Sequence, residues 1–369
     1  MSPTMLWRFR PPPPRHDGTG VCWHTAAAAA RRHGGMLAFD AEDFHSGEGG
    51  DGEIDAFRMR LVRRIEGRIL PGCAYSTAAA PLIGKAYENA YGLHPTTLLN
   101  VFPLTMAPDR PVDRGPDGRL RAYWFSQTIG LDRGLQSFIR GMAQARTNVT
   151  LDIRGSDRWG HGGTLLALAR ELGIGDRVTL LPLGAPEEMA RLAAPYDLGL
   201  SLETDITENR RLCLTNKIFT YLLAGIPAMM SDTPAQSTLA PELGVASMLV
   251  SLADPQGIAL ALDRLAAPAM LAQAKAAAWR LGHERYNWDK EKAVLIETVA
   301  AAFRDFSPIL GGSIGPVIPV TSPSDPAPIS TTSSGFTYPG NATYVVQVVM
   351  GGVTGTATFQ WLRAGQNAF

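Results

Sequence analysis

Between residues 121 and 305, short apolar runs alternate with segments of helical period. Arg121 to Ser126, Val149 to Ile153, Val178 to Leu181, Leu198 to Leu202, Ala228 to Ser231 and Ser247 to Ser251 are apolar and too short for helices, and read as strands. Between them, Leu135, Phe138, Ile139 and Met142 share one helical face, and Thr164 to Leu172 closes at Gly173. Pro186-Glu187-Glu188 opens a helix with proline first and acids in the first turn. Asp254-Pro255 opens another, and Ala-rich helices cover roughly 266–285 and 288–305. This alternation predicts α/β architecture, a Rossmann-type parallel sheet with helices on both faces.

Upstream the pattern is shorter. Ala26 to Arg32 reads as a helix, Met36 to Phe39 as a strand and Phe57 to Ile69 as an arginine-bearing helix. Ala74 to Thr77 is a strand, Pro81 to Tyr91 a helix stopping near Gly92, and Thr97 to Val101 a strand. The predicted organisation is a linker at 1–22, an incomplete N-terminal α/β domain at 23–104, a Pro/Gly-rich linker at 105–120 and the regular α/β domain at 121–285. A C-terminal helix follows at 286–306, then a Pro/Ser/Thr/Gly linker at 307–334 and a β-rich fragment at 335–369. In that fragment Phe336 to Tyr338, Ala342 to Met350 and Thr356 to Trp361 read as strands, too few for an independent sandwich.

The stretch Asp197 to Thr233 (DLGLSLETDITENRRLCLTNKIFTYLLAGIPAMMSDT) reads as strand, polar loop from Thr204 to Arg211, helix capped by Thr215 or Asn216, a stop at Gly225, and a second strand. A loop leaving the carboxyl end of a buried parallel strand and entering a helix is where open α/β sheets bind ligands, and the helix N-terminus favours an anion. Lys217 in the first turn has the wrong sign for the helix dipole. Either its head is solvated over a packed stem, or a phosphate sits beside it.

Composition narrows the partners. Thirty-four basic and 34 acidic residues give zero formal net charge, which argues against nucleic acid. Cys22, Cys73 and Cys213 are few and widely spaced, so they read as free thiols in a reducing compartment, with no metal site. No stretch of about 18 apolar residues occurs, and four prolines occupy the place of a signal peptide's apolar segment, so the expected location is cytoplasmic. Any peripheral membrane association is not visible in the sequence.

The pieces YWFSQTIGLDRGLQSFI (123–139), LDIRG (151–155), GDRVTLLPLGAPEEMARLAAPYDLGLSLE (175–203) and NKIFTYLLAGIPAMMSDT (216–233) together resemble the C-terminal, donor-binding domain of a GT-B glycosyltransferase of the family 4, group 1-like type. The last is similar to a pattern in which a lysine precedes a helix ending Ala-Gly-x-Pro. RYNWDKEK (285–292) resembles the segment that crosses back to the N-terminal domain, and FDAEDFHSGE resembles the later part of the acceptor domain. The resemblance implies a retaining, metal-independent transferase, with a nucleotide sugar as substrate rather than cofactor and a glycan or glycolipid acceptor. It implies donor contacts from Gly130, Arg133, Gly134, Arg154, Gly155, Glu203, Asn216, Lys217 and Thr220. Asp43 and His45, in the acidic loop, are the catalytic candidates.

Two departures stand out. The pair of glutamates that many relatives carry falls on Leu212 and Thr220, so the acid pair is absent, and Glu203 or Glu208 is expected to supply the charge. Residues 1–104 hold too few β-α units for a whole N-terminal domain, which is therefore expected to be truncated or completed by another chain. Arg210 and Arg211 read as solvated, Trp124, Trp159 and Trp288 as core or interface aromatics, and GHGG at 160–163 as a weak signal. The competing readings are a non-catalytic nucleotide-sugar-binding or scaffold protein and, third, a sugar-nucleotide epimerase of the same fold.

Overall fold

A computed structural model describes residues 7–9, 19–33, 35–50, 52–112, 118–305, 318–319, 332–333, 344–350 and 358–363. The elements are, in chain order, β1 (Trp7–Phe9), α1 (Thr19–His33), β2 (Leu37–Ala41), α2 (Glu53–Ile69), β3 (Tyr75–Ala78), α3 (Pro81–Tyr91) and β4 (Thr96–Thr97). The regular half follows with β5 (Leu120–Thr128), α4 (Leu135–Gln144), β6 (Val149–Ser156), α5 (His161–Glu171), β7 (Val178–Leu181), α6 (Met189–Ala193) and β8 (Leu198–Ser201). Then come α7 (Glu208–Leu212), α8 (Asn216–Ala224), β9 (Ala228–Ser231), α9 (Pro234–Leu243), β10 (Ser247–Val250), α10 (Pro255–Leu265), α11 (Pro268–Glu284) and α12 (Trp288–Asp305). Among the described residues no helix is long and apolar enough to cross a membrane.

The chain divides into two units. One comprises Met1–Asp40, Arg64–Ser76 and Thr298–Phe369. In it β1 pairs in parallel with β2, Trp23 meets Phe39 edge to face at 5.9 Å, and Ala26, Ala27 and Ala30 are buried along α1. Near the C-terminus Tyr344–Met350 and Thr358–Arg363 form an antiparallel pair, Tyr344 facing Arg363. Much of the expected linkers at 1–22 and 307–334, the strand at 336–338 and the side chain of Cys22 lie outside the described residues, but β1 and the first turn of α1 fall within 1–22, and β5 starts at Leu120, inside the linker expected at 105–120.

The other unit comprises Ala41–Arg63 and Thr77–Glu297. Its sheet has six parallel strands in the order β7-β6-β5-β8-β9-β10. The order reverses between β5 and β8, the doubly wound arrangement in which the crevice outside the reversal is the ligand site. Trp124, Phe138, Leu200, Met229 and Ile258 lie in the core, each side chain of this kind contributing about 1.5–3 kcal/mol on burial. Helix α8 is buried from Lys217 to Ala224, so it is apolar nearly all round, as a central helix must be. It packs so closely on β8 that a side chain at Gly199 would collide with the Tyr221 ring. Gly225, at φ 76°, ends it as the sequence predicts.

Several expectations shift. The strand expected at Thr97–Val101 is only Thr96–Thr97, because the Leu99 N–H donates to Glu291 Oε2 at 2.9 Å rather than to a neighbouring strand. β6 runs past its expected end at Ile153 to Ser156, so Arg154 and Gly155 belong to the strand. The second half of the supposed polar loop 204–211 belongs to α7, whose N-cap Thr207 accepts from the Arg210 N–H at 3.2 Å. α9, opened by Pro234, was not anticipated.

Candidate functional site

β5 and β8 are adjacent parallel strands, so their carboxyl ends deliver two loops to the reversal point of the sheet. The first loop ends at Gly134, φ 66°, which caps α4. A Cβ there would stand 2.8 Å from Leu202 Cβ and 2.9 Å from the Leu202 carbonyl oxygen, so the bare glycine lets the two loops touch. Thr204 Oγ1 donates to the Asp132 carbonyl at 2.9 Å, and Ser231 Oγ donates to the Glu203 carbonyl at 2.7 Å. Both loops are thereby fixed before any side-chain charge is considered.

At their junction Glu203, with a side chain 2% exposed, gathers three cations. Its Oε2 accepts from Arg133 Nη1 at 3.1 Å and from Arg210 Nη1 at 2.9 Å, while Oε1 lies 3.5 Å from Lys217 Nζ. Arg210 Nη2 also donates to Asp132 Oδ2 at 2.8 Å, and Lys217 Nζ stands 5.9 Å from the centre of the Trp124 ring. Burial alone would raise the Glu203 carboxyl, but Lys217, Arg133 and Arg210 outweigh it and hold the group below its ordinary 4.5. Lys217 is pushed down, first by burial and then by Arg133, against the pull of Glu203. Three cations face two carboxylates, so the cluster carries a surplus positive charge, and Arg133 keeps 29% of its side chain exposed. Such a cluster can receive an anion without first having to assemble.

The structure brings together Arg133, Gly134, Glu203 and Lys217, with Gly130 in the same loop as Arg133 and Asn216 opening α8. It sets Arg154 apart: Nε donates to the Tyr123 hydroxyl at 2.8 Å and Nη1 to the Pro182 carbonyl at 2.7 Å. Gly155 permits close strand packing, since a Cβ would stand 2.8 Å from the Ser126 carbonyl oxygen. Thr220 is fully buried and donates its hydroxyl to the Asn216 carbonyl at 2.9 Å. Arg210, read as solvated, is instead a full member of the cluster; a threonine followed by glutamate is the N-cap signal that could have placed it on α7. Arg211 is exposed and pairs with Asp205 at 3.3 Å, and Trp159, expected in a core or an interface, is exposed under Arg158 and so is not in the core.

Helix α7 also reaches the acidic loop. Asn209 Nδ2 donates to Asp43 Oδ1 and its Oδ1 accepts from the Phe44 N–H, both at 2.8 Å. Burial raises the Asp43 carboxyl above its ordinary value, against the lowering by Asn209. His45 Nδ1 lies 3.3 Å from Glu48 Oε1. A cavity of about 580 Å³ opens beside this loop, between α3 and α7, with Phe44, Ser46, Arg63, Lys85, Tyr91 and Glu208 among its walls. Among the described residues no group of three or more His, Cys, Asp or Glu is placed to hold a metal ion. Burial pushes the thiols of Cys73 and Cys213 up to about 12, which makes them poor nucleophiles.

No protein-family model matches the chain, and no curated protein matches it in sequence. Solved structures do match. HepE of Anabaena in complex with UDP superposes with a TM-score of 0.61 at 16% identity, over 77% of this chain and 77% of HepE. The fold is GT-B. The sucrose-phosphate synthase of Thermosynechococcus elongatus shares the GT-B arrangement at a TM-score of 0.56 and 16% identity, with 77% of each chain covered. The lipopolysaccharide outer core galactosyltransferase WaaB, in its apo form, matches at 0.53 and 12%, over 77% of this chain and 73% of its own. The Glu203 cluster lies at the carboxyl edge of the six-stranded parallel sheet.

Proposed function

We propose that the chain is a glycosyltransferase that takes its sugar from a nucleotide-sugar donor, whose diphosphate lies against Arg133, Arg210 and Lys217. The observation that carries this reading is the convergence of those three cations on one buried glutamate at the reversal point of the sheet. In the reaction the bond between the anomeric carbon and the phosphate oxygen breaks. The acceptor hydroxyl oxygen forms the new bond, and the nucleoside diphosphate leaves with an added negative charge. Preassembled guanidinium and ammonium groups stabilise that charge without a metal ion. Glu203 holds the cations in place while they are idle, and the diphosphate exchanges for part of its contacts. Retention of configuration and a glycan or glycolipid acceptor belong to this reading through the resemblance around Ala224-Gly225-Ile226-Pro227. The cavity beside the acidic loop supports a sugar acceptor, because Phe44 and Tyr91 line it together with the polar side chains of Arg63, Asn89 and Glu208. Asp43, with its raised carboxyl, is the candidate to accept the hydroxyl proton.

A binding-only protein is the second reading, favoured by Thr220, which stands where relatives carry a carboxylate and points its hydroxyl at its own helix. One experiment separates the two. Calorimetric titration with inorganic pyrophosphate and a panel of nucleoside diphosphates should show binding that Arg133→Ala weakens about tenfold or more, as expected for a lost charge-assisted contact. Donor hydrolysis or transfer by the same preparation supports the transferase, and binding without turnover supports the second reading. No binding of any diphosphate overturns both.

A further inference from the structure

Helix α9 opens with a capping signal that it does not use. Thr233-Pro234-Ala235-Gln236 has the spacing in which the threonine hydroxyl accepts from the N–H three residues on and the glutamine reaches back to the threonine N–H. Thr233 is the N-cap residue, at φ −64° and ψ 153°, yet its side chain makes no capping bond. Its Oγ1 has no hydrogen-bond partner among the described residues, and neither has Gln236 Oε1, although both residues are buried. Buried polar atoms without partners are costly, so a helix that forgoes its cap on these terms needs a reason. The glutamine is engaged elsewhere. Its Nε2 donates to Ser231 Oγ at 3.3 Å, and Ser231 Oγ donates to the Glu203 carbonyl at 2.7 Å. A hydroxyl has one hydrogen, and this one goes to a carbonyl, so Gln236 has to present its NH2 group to the serine and turn Oε1 away.

We infer that Gln236 is a positioning residue for the diphosphate site: acting through Ser231, it fixes the backbone of Glu203 and so the carboxylate on which Arg133, Arg210 and Lys217 converge. Backbone pairing has run out where Glu203 stands. β8 ends at Ser201, and the last partners in its ladder with β9 are Ser201 and Met230. Beyond them the Ser231 hydroxyl ties the Glu203 carbonyl to β9, and Gln236 holds the serine in the rotamer and hydroxyl direction that make this bond. Gln236, Ser231 and Glu203 are all buried, so water does not compete for the chain of bonds. A small displacement of that one carboxylate would move three cations out of register with an incoming diphosphate. The inference rests on the diphosphate site proposed above and adds to it a residue that touches neither the cations nor the ligand.

The test is calorimetric titration of the full chain with inorganic pyrophosphate, with melting temperatures measured alongside. Gln236→Met keeps the length of the side chain and removes its polar atoms, and Gln236→Leu serves as a second apolar replacement should the first not fold. Either should melt no lower than the wild type, because an unpartnered buried oxygen goes with it, yet bind pyrophosphate about fivefold more weakly. Ser231→Ala should lose a similar factor, and combining it with Gln236→Met should lose no more, since the two side chains act in series. Ser231→Thr, which keeps the hydroxyl, should restore most of what Ser231→Ala loses. Wild-type affinity in the Gln236 variants overturns the inference while leaving the diphosphate site standing. So do additive losses in the double variant, equal losses in Ser231→Thr and Ser231→Ala, or a loss of affinity that only follows a fall in melting temperature. Absence of pyrophosphate binding by the wild type is a separate failure, which overturns the diphosphate site and this inference with it.

Discussion

Asp197 and Glu203 flank the same buried strand, β8, and each is withdrawn from solvent with basic side chains around it. At the amino end, Asp197 Oδ2 accepts from the Arg121 backbone N–H at 3.0 Å and from its Nε at 3.4 Å, while Oδ1 lies 3.6 Å from Lys275 Nζ. The Asp197 N–H returns a bond to the Arg121 carbonyl at 2.8 Å. This carboxylate therefore fixes the register of β5 against β8. At the carboxyl end, Glu203 takes no part in a ladder; its carboxylate is given wholly to side chains from three different segments. The comparison shows that a buried carboxylate ringed by cations is not by itself a sign of function. What separates the two is the strand end they occupy, and whether the cations are tied to the backbone or carried by a loop and the first turns of α7 and α8 at the carboxyl edge of the sheet.

The largest expected effect distinguishes them directly. Glu203→Gln and Asp197→Asn should each cost about 3–5 kcal/mol in denaturant unfolding, because each leaves buried cations uncompensated. Added pyrophosphate should raise the melting temperature of Glu203→Gln by more than it raises the wild type, since the anion replaces the missing charge. It should raise Asp197→Asn only as much as the wild type. Equal increments in the two variants would mean that the Glu203 cluster is as structural as its counterpart.

A smaller effect sharpens the same contrast. Gly134→Ala and Gly225→Ala both place a side chain at positive φ, 66° and 76°, and each should destabilise by about 1–3 kcal/mol. Gly134 stands against Leu202, whereas a Cβ at Gly225 would meet Trp279 Cε3 at 2.8 Å, at the end of α8 away from Lys217 and Glu203. Calorimetry should therefore find pyrophosphate affinity lowered in Gly134→Ala and unchanged in Gly225→Ala. Loss in both would mean that affinity follows overall stability rather than the fit of the two loops.

The regular half was legible because its signals are local. The apolar runs of β5 to β10 and the stops at Gly173 and Gly225 depend on periodicity and on backbone preference, which neighbours in sequence carry. Arg133 and Lys217 were visible for the same reason, as basic residues beside a glycine turn and in a first helical turn. What joined them was not visible. Glu203 gathers residues 70 positions upstream and seven downstream, and no spacing rule connects Arg133 to Arg210. Asn209 was missed because an asparagine on a five-residue helix has no signature until Asp43 is folded against it. β4 fell short because its competitor, the Glu291 carboxylate, lies 192 positions away.

The smallest effect concerns acid, and it sets Glu203 against Asp43, since their carboxyls are displaced in opposite directions. Glu203 is held below 4.5 by Lys217, Arg133 and Arg210 despite burial, so the folded protein binds fewer protons there than the unfolded chain. Its contribution is fully present above 4.5 and is lost as pH falls toward the folded value. Asp43 is raised above 3.8, chiefly by burial and further by Glu48 and Glu42, against Asn209 and His45. There the folded protein binds more protons than the unfolded chain, so stability falls as pH rises from 3.8 through the folded value. Urea unfolding across acidic to neutral pH should therefore show Glu203→Gln losing a rising component and Asp43→Asn losing a falling one. If Glu203→Gln kept the wild-type slope below 4.5, the carboxylate would not be sustained by the three cations, and the surplus charge assigned to the site would have no basis.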